Sequence, residues 1–165
     1  MAKDVRYYLG ELVIAFAALE DSLCEGLAQI LNIEYENSKI LFSAISFSKK
    51  IQILNALLRK YIGKDGERAF NGTLIYQLLT KANTLEAQRN MFIHSDWEYY
   101  INPKEKDVVI KRSKIRYSRK NIAKFQIEEI GEKELAHLKD IIDKLKECAF
   151  EVYGEFGQIG TDLGH

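Results

Sequence analysis

Apolar residues recur at steps of three and four along residues 4–31, the spacing that places side chains on one side of an α-helix. The same spacing predicts helical regions over residues 36–61, 67–93 and 132–153, the first of them broken near Ser46 to Ser48 with Ser48 as an N-cap. Such stripes are buried only against one another, so we expect an antiparallel helical bundle. The stripe of the first helix is predicted to comprise Val5, Leu9, Leu12, Phe16, Leu19, Leu23, Leu27 and Ile30, widened by Tyr8, Val13 and Leu31. That of the third includes Phe70, Leu74, Leu78, Leu85 and Phe92.

The pattern changes between the third and the last helix. Aromatic and β-branched residues at 97–101 and 108–110 flank a polar turn with the single proline, Pro103, which predicts strand, turn and strand. A further short extended piece is expected near 115–117 or 125–127. We therefore predict an all-α fold with a small β-hairpin, residues 98–118, inserted before the last long helix. Residues 1–157 form one domain in this interpretation, and the glycine-containing residues 158–165 form a flexible tail.

Composition places the chain of 165 residues among ordinary globular proteins, since 47% of it is hydrophobic and 29% charged. The two cysteines, Cys24 and Cys148, fall in helical segments without a CxxC pattern, which favours buried thiols in a reducing compartment. No apolar stretch approaches the roughly 20 residues of a membrane span, and no convincing signal peptide is recognised. The expectation is a cytoplasmic protein that does not contact membranes.

The charges balance overall, with 24 basic and 24 acidic residues, but they are unevenly distributed. Residues 98–124 hold nine basic and three acidic side chains, a local charge of +6, so the rest of the chain carries −6. Tyrosines interleave with the basic residues, a mixture that holds phosphates and stacks on unpaired bases. Alternatively, the positive charge discourages pairing between exposed strand edges. The candidate RNA-binding residues are Lys111, Arg112, Lys114, Arg116 and Tyr117.

One group of residues near the end of the third helix suggests chemistry: Arg89, Asn90 and His94. Asn90 and His94 are four apart and share a helix face, and the long Arg89 side chain can reach the same point. An imidazole exchanges protons near neutral pH and a guanidinium holds charge that develops on a phosphate, which suits cleavage of RNA by its own 2′-hydroxyl. In the alternative, structural interpretation Arg89 bonds Glu86 and His94 stabilises the helix C-terminus.

In-line transfer needs a base and an acid, and this group holds one histidine. A two-fold dimer would bring a second His94 opposite the first, so a homodimer is expected. His137 is interpreted as a surface residue of the last helix. No phosphate-binding glycine loop, zinc ligand spacing or hydrolase triad is recognised in the chain.

The segment Arg89-Asn90-Met91-Phe92-Ile93-His94 resembles the R-x(4–6)-H signature of HEPN domains. Three further segments are similar to prokaryotic members, so that the resemblance covers roughly residues 10–155. They are Phe16 to Glu20, Phe47 to Leu54 and His94 to Trp97.

The resemblance implies a helical bundle that dimerises with its two motifs in a shared cleft. Active HEPN proteins are endoribonucleases of toxin–antitoxin and anti-phage systems that require neither metal nor cofactor. By this resemblance Arg89 would stabilise the transition state, His94 would transfer protons and Asn90 would orient the phosphate or His94. Glu20 would orient Arg89 or meet the site, or else is an exposed helix charge. RNA, and an antitoxin or other regulatory protein, are the implied partners. The alternative is an inactive HEPN-like module that binds RNA, nucleotide or protein; a purely structural bundle is a third interpretation.

Overall fold

The computed structural model describes residues 2–61, 72–101, 108–117, 123–129 and 131–162. Within these ranges the chain forms helices and one small antiparallel sheet, which confirms the predicted helical bundle with a β insertion before its last helix. The helices are α1 (Ala2–Leu31), α2 (Tyr35–Phe42), α3 (Phe47–Tyr61), α4 (Gly72–Ile93) and α5 (Glu132–Asp162), and the strands are β1 (Asp96–Ile101), β2 (Val108–Tyr117) and β3 (Ala123–Glu129). Residues 62–71, where the third helix was predicted to start and which include Phe70, lie outside the described residues.

The two long helices α1 and α5 run in the same direction and contact each other along their length. Glu11 pairs with Lys146 near their middle, and Gly26 meets Phe156 further along both. Parallel packing follows from the order of the elements, because consecutive helices alternate in direction and α1 and α5 are the first and the fifth.

Helix α4 runs antiparallel to α1 and α5. Its Lys81 bonds Glu151, late in α5, whereas its Phe92 lies 5.9 Å from the ring of His137, early in α5. The C-terminus of α4 therefore lies at the end of the bundle where α1 and α5 begin.

The core consists of the predicted stripes, with Leu12, Leu19 and Leu23 of α1 fully buried. Three apolar positions that the helical spacing assigned to buried stripes are exposed instead: Val13 (46%), Leu74 (39%) and, in the last helix, Phe150 (80%). Val13 is displaced from Leu12 by about 100° around the helix, beyond the buried stripe, and Leu74 lies in the first turn of α4.

Local signals determine where the first helices end and begin. After α1 the chain reverses at Asn32, whose φ of 50° is left-handed, and the Ile33 amide donates to the Ala28 carbonyl over 3.1 Å, as in a Schellman motif. Helix α3 begins at Phe47, so the N-cap predicted at Ser48 is wrong. The Lys50 amide donates to the Ser46 carbonyl over 2.9 Å, which places the cap two residues earlier and allows Phe47 to enter the core.

The sheet has three strands in the order β1, β2, β3, all antiparallel, so the insertion is one strand larger than the predicted hairpin. The expected extra piece at 125–127 lies within β3, and the one at 115–117 lies within β2. Ile110 of β2 is fully buried against Val5, with Leu9 and Leu135 packed beside them. The sheet therefore docks where α1 and α5 begin.

Helix α5 continues to Asp162, beyond its predicted end at Tyr153. The prediction of a flexible tail is thus wrong for residues 158–162, and residues 163–165 lie outside the described ranges. Phe156 and Ile159 extend the buried stripe, and a side chain at Gly160 would overlap Gln29 of α1. Gly160 permits close packing of α5 on α1, which outweighs its low helix propensity, whereas Gly154 and Gly157 face open space.

Both cysteine thiols are free and buried, as predicted. Burial raises the pKa of Cys148 to about 11 and also raises that of Cys24. The thiolate form that reacts with oxidants is therefore disfavoured at both positions.

Substituting Gly26→Ala is expected to lower the free energy of unfolding by about 1–3 kcal/mol, because the new methyl group would overlap the fully buried Phe156 ring. Gly154→Ala is the matched control, since its position is open, and it should raise the free energy of unfolding by up to about 1 kcal/mol. Urea unfolding followed by circular dichroism measures both. A Gly26→Ala protein as stable as wild type would contradict the described helix contact.

Candidate functional site

Arg89 and Asn90, adjacent near the end of α4, are joined through their side chains. An Nη of Arg89 donates to Oδ1 of Asn90 over 2.8 Å, and the guanidinium carbon lies 4.5 Å from the centre of the Phe16 ring of α1. A guanidinium over an aromatic face is held by cation–π attraction of about 1–2 kcal/mol when partly desolvated. Arg89 is half-buried, and its Nε has no hydrogen-bond partner within the described ranges. The cation is thus fixed in place, and no carboxylate among the described residues pairs with it.

His94 follows the last residue of α4 and is exposed. Its amide donates to the Asn90 carbonyl over 3.1 Å, so helical geometry persists to this residue and the two share a face as predicted. In the described part of the chain its imidazole makes no hydrogen bond or ion pair. Asn90 therefore lies between the guanidinium, which its side chain holds, and the imidazole, which follows it on the same face.

The backbone carbonyls at the end of α4 accept hydrogen bonds from side chains, and these bonds fix the backbone around His94. The Ser95 hydroxyl donates to the Met91 carbonyl, and the Trp97 indole donates to the Phe92 carbonyl over 3.0 Å. These bonds replace the helical partners that terminal carbonyls lack. His94 consequently projects from an ordered junction between α4 and β1.

The prediction that Glu20 orients Arg89 is wrong, because Glu20 bonds Lys50 and not Arg89. It accepts a hydrogen bond from Lys50 Nζ over 2.7 Å, and Lys50 is only 8% exposed. The predicted alternative, an Arg89–Glu86 bond, is likewise replaced by the bond to Asn90. The reason is position: Glu20 is one turn beyond Phe16 on α1, level with α3 rather than with the end of α4.

Sequence reasoning missed Phe16 and Lys50. Phe47 of α3 packs against Phe16 with ring centres 4.8 Å apart, and Lys50 lies one turn beyond Phe47. The available signal was a lysine within the apolar stripe of α3, between Phe47 and Leu54. Of these residues Phe16 contacts Arg89, and Phe47 packs on the Phe16 ring.

Arg112 of β2 packs on the end of the bundle. Its guanidinium lies 4.8 Å from the centre of the Phe92 ring, which also meets Trp97 and His137. His137 is exposed, as predicted. Arg112 therefore helps to attach the sheet to α4, and the RNA contact predicted for it stays a prediction.

The other candidate RNA-binding residues also lie on β2. Lys111 is half-buried and faces Glu98 and Glu129 in the strand register. The side chains of Lys114, Arg116 and Tyr117 lie outside what the structure describes, although their backbone pairs with β3. The structure thus groups these residues on one strand, adjacent to the end of α4.

Among described residues, no three His, Cys, Asp or Glu side chains are grouped as a metal site. No helix in the described ranges is long and apolar enough to cross a membrane. No family model, curated protein or solved structure matches the chain.

Substituting Lys50→Met is expected to lower the free energy of unfolding by about 1–3 kcal/mol, since it leaves the half-buried Glu20 carboxylate unpaired. A double-mutant cycle with Glu20→Gln should give a coupling energy of about 1 kcal/mol. The control is Lys144→Met, which breaks a pair with Asp140 in which both side chains are 50% exposed and should change stability by less than about 0.5 kcal/mol. Equal effects of the two lysine substitutions in urea unfolding would contradict a special role for Lys50.

Proposed function

We propose that the chain is a HEPN-type endoribonuclease that cleaves RNA through attack of the 2′-hydroxyl, without a metal or other cofactor. The observation that carries the proposal is the Arg89, Asn90 and His94 group. A guanidinium is held by an amide and an aromatic ring, and an exposed imidazole follows on the same helix face. This combination matches the charge and proton-transfer needs of phosphodiester cleavage.

In the proposed step the 2′-oxygen forms a bond to phosphorus and the bond from phosphorus to the 5′-oxygen breaks. Arg89 stabilises the negative charge on the phosphoryl oxygens, and Asn90 keeps its guanidinium in place. The 2′-hydroxyl loses a proton and the departing 5′-oxygen gains one. His94 performs one of these transfers, and the other falls to a second His94, where two sites face each other, or to water. The products carry 2′,3′-cyclic phosphate and 5′-hydroxyl ends.

The proposed setting is the cytoplasm, in a toxin–antitoxin or anti-phage system, with an antitoxin or other regulatory protein as partner. Basic residues of β2 would draw in single-stranded or loop RNA, since they lie on the strand beside the end of α4. This setting rests on the resemblance in residues 89–94 and on the charge of the insertion.

The second candidate is a module that binds RNA, nucleotide or protein without cleaving RNA. One observation favours it: the group holds a single histidine, whereas in-line transfer uses two proton-transfer groups. The exposed His137 contacts the Phe92 ring, which Arg112 also contacts, so this histidine belongs to the junction of α4, α5 and the sheet and not to the Arg89 group.

Pure protein is expected to cleave mixed single-stranded RNA in EDTA, and both Arg89→Ala and His94→Ala should lower the rate by about 100-fold or more. His137→Ala is the matched control and should retain activity, because His137 lies outside the proposed site. A substrate with 2′-deoxyribose at the cleaved position should resist cleavage. Product ends are identified by mass spectrometry.

Helical content of each variant is checked by circular dichroism. RNA binding without cleavage by wild-type protein, lost in Arg89→Ala, would replace the nuclease with the binding module. Equal cleavage by wild type and both variants would reject the site altogether.

Substituting Lys114→Ala is expected to weaken RNA binding and to lower the slope of log affinity against log salt by about 0.7, the loss of one phosphate contact to a single strand. Lys144→Ala on the exposed side of α5 is the control and should change neither quantity. Fluorescence anisotropy with labelled RNA measures both. An unchanged salt dependence for Lys114→Ala would remove this residue from the RNA surface.

A further inference from the structure

The segment from Phe92 to Trp97 is joined at its two ends, and His94 lies between them. The Trp97 indole donates to the Phe92 carbonyl over 3.0 Å, and the two rings stack with their centres 6.5 Å apart. Phe92 itself is buried in the core. Joining the ends of a short segment removes much of its conformational freedom. The contact between Phe92 and Trp97 therefore determines where the His94 backbone lies.

Arg112 of β2 lies beside both members of this contact. Its guanidinium carbon is 4.8 Å from the centre of the Phe92 ring. In the sheet Arg112 is directly opposite Trp97 of β1. Side chains of directly opposite residues share one face of a sheet, with Cβ atoms about 5 Å apart. A single residue of β2 is thus adjacent to both ends of the segment that contains His94.

The Arg112 side chain lies on the face of the sheet that packs against the helices. Side chains alternate along a strand, so Ile110 and Arg112 share a face and Lys111 lies on the other. Ile110 is fully buried against Val5 of α1, which identifies its face as the one that meets the bundle. Arg112 is half-buried there, over a ring of the core. This position suits packing within the protein better than contact with RNA.

We propose that Arg112 is a positioning residue for His94 and not an RNA contact. It acts through Phe92, on which it stacks, and through Trp97, with which it pairs. A planar guanidinium suits this place because it stacks on an aromatic face, whereas a lysine ammonium is a compact charge that does not. The effect on cleavage rests on the proposed function; the effect on the position of the imidazole does not.

The same contact fixes β2 relative to the imidazole. Other basic residues of β2 are the candidate RNA-binding groups, so RNA bound along this strand would keep a constant position relative to His94. A misplacement of about 1 Å at a reacting group costs up to about 100-fold in rate. Loss of the Arg112 stack should therefore lower the rate at saturating RNA, while RNA binding is retained.

Nuclear magnetic resonance of the His94 imidazole tests the packing in the absence of RNA. Arg112→Lys is expected to shift the His94 Hε1 signal of the folded protein. It should also speed hydrogen exchange of the His94 amide, which donates to the Asn90 carbonyl, by about tenfold or more. Ile110→Val is the matched control, because it weakens the same interface of sheet and bundle, and should leave the His94 signal in place. A variant that is merely less stable loses signal intensity without a shift of the folded-state signal.

A second variant tests the junction from its other end and does not depend on how Arg112→Lys folds. Trp97→Phe retains a ring beside Phe92 but removes the indole N–H that bonds the Phe92 carbonyl. It should move the His94 signal and speed exchange of the His94 amide. Combining the two substitutions should add little to either effect, because both residues act on one segment.

Kinetics separate positioning from RNA contact where wild type cleaves RNA. Arg112→Lys and Arg112→Ala should both lower kcat by about 10- to 100-fold with KM unchanged. A phosphate contact would instead tolerate lysine, and its loss in Arg112→Ala would raise KM and lower the salt slope by about 0.7.

That second pattern, or an unmoved His94 signal in Arg112→Lys and Trp97→Phe, would overturn the proposal. Absence of cleavage by wild type would reject the proposed function alone, since the imidazole signal still reports the junction.

Discussion

The apolar stripe of α1 contacts all four other described helices, and it also contacts the sheet through β2. Removal of this surface from water is the interaction on which the bundle depends, because α1 is the one described helix that contacts every other described helix. Phe16, whose ring lies against the Arg89 guanidinium, is part of the same helix. Folding of the core and formation of the candidate site are consequently not separable events.

Much of this architecture was predictable from periodicity. Leu12, Leu19 and Leu23 have the helical spacing and are fully buried, and the change of pattern after Ile93 marks the sheet. Errors occurred where tertiary packing overrides local propensity. Glycines have low helix propensity, which predicted a frayed end for α5. Two contacts with α1 stabilise this end of the helix instead: Phe156 packs against Gly26, and Gly160 packs against Gln29. A local pattern does not report which glycine faces a neighbouring helix.

The sequence identified the residues of the candidate site, but it did not predict the contacts that their side chains make. The spacing of Asn90 and His94 indicated a shared face, which the structure has. The partner of Arg89 depends on where α1 and α3 lie, and no pattern along the chain contains that information. Glu20 therefore bonds Lys50, and the aromatic ring of Phe16 takes the position beside Arg89 that a carboxylate was predicted to occupy.

The indole that donates to the Phe92 carbonyl belongs to the chain's single tryptophan. Trp97 is half-buried, three residues from His94, and stacks against Phe92. Its intrinsic fluorescence thus originates at the junction of α4 and β1 and nowhere else in the protein. The chain carries a built-in optical reporter of this junction, sensitive to solvent entry and to loss of the hydrogen bond, without any chemical label.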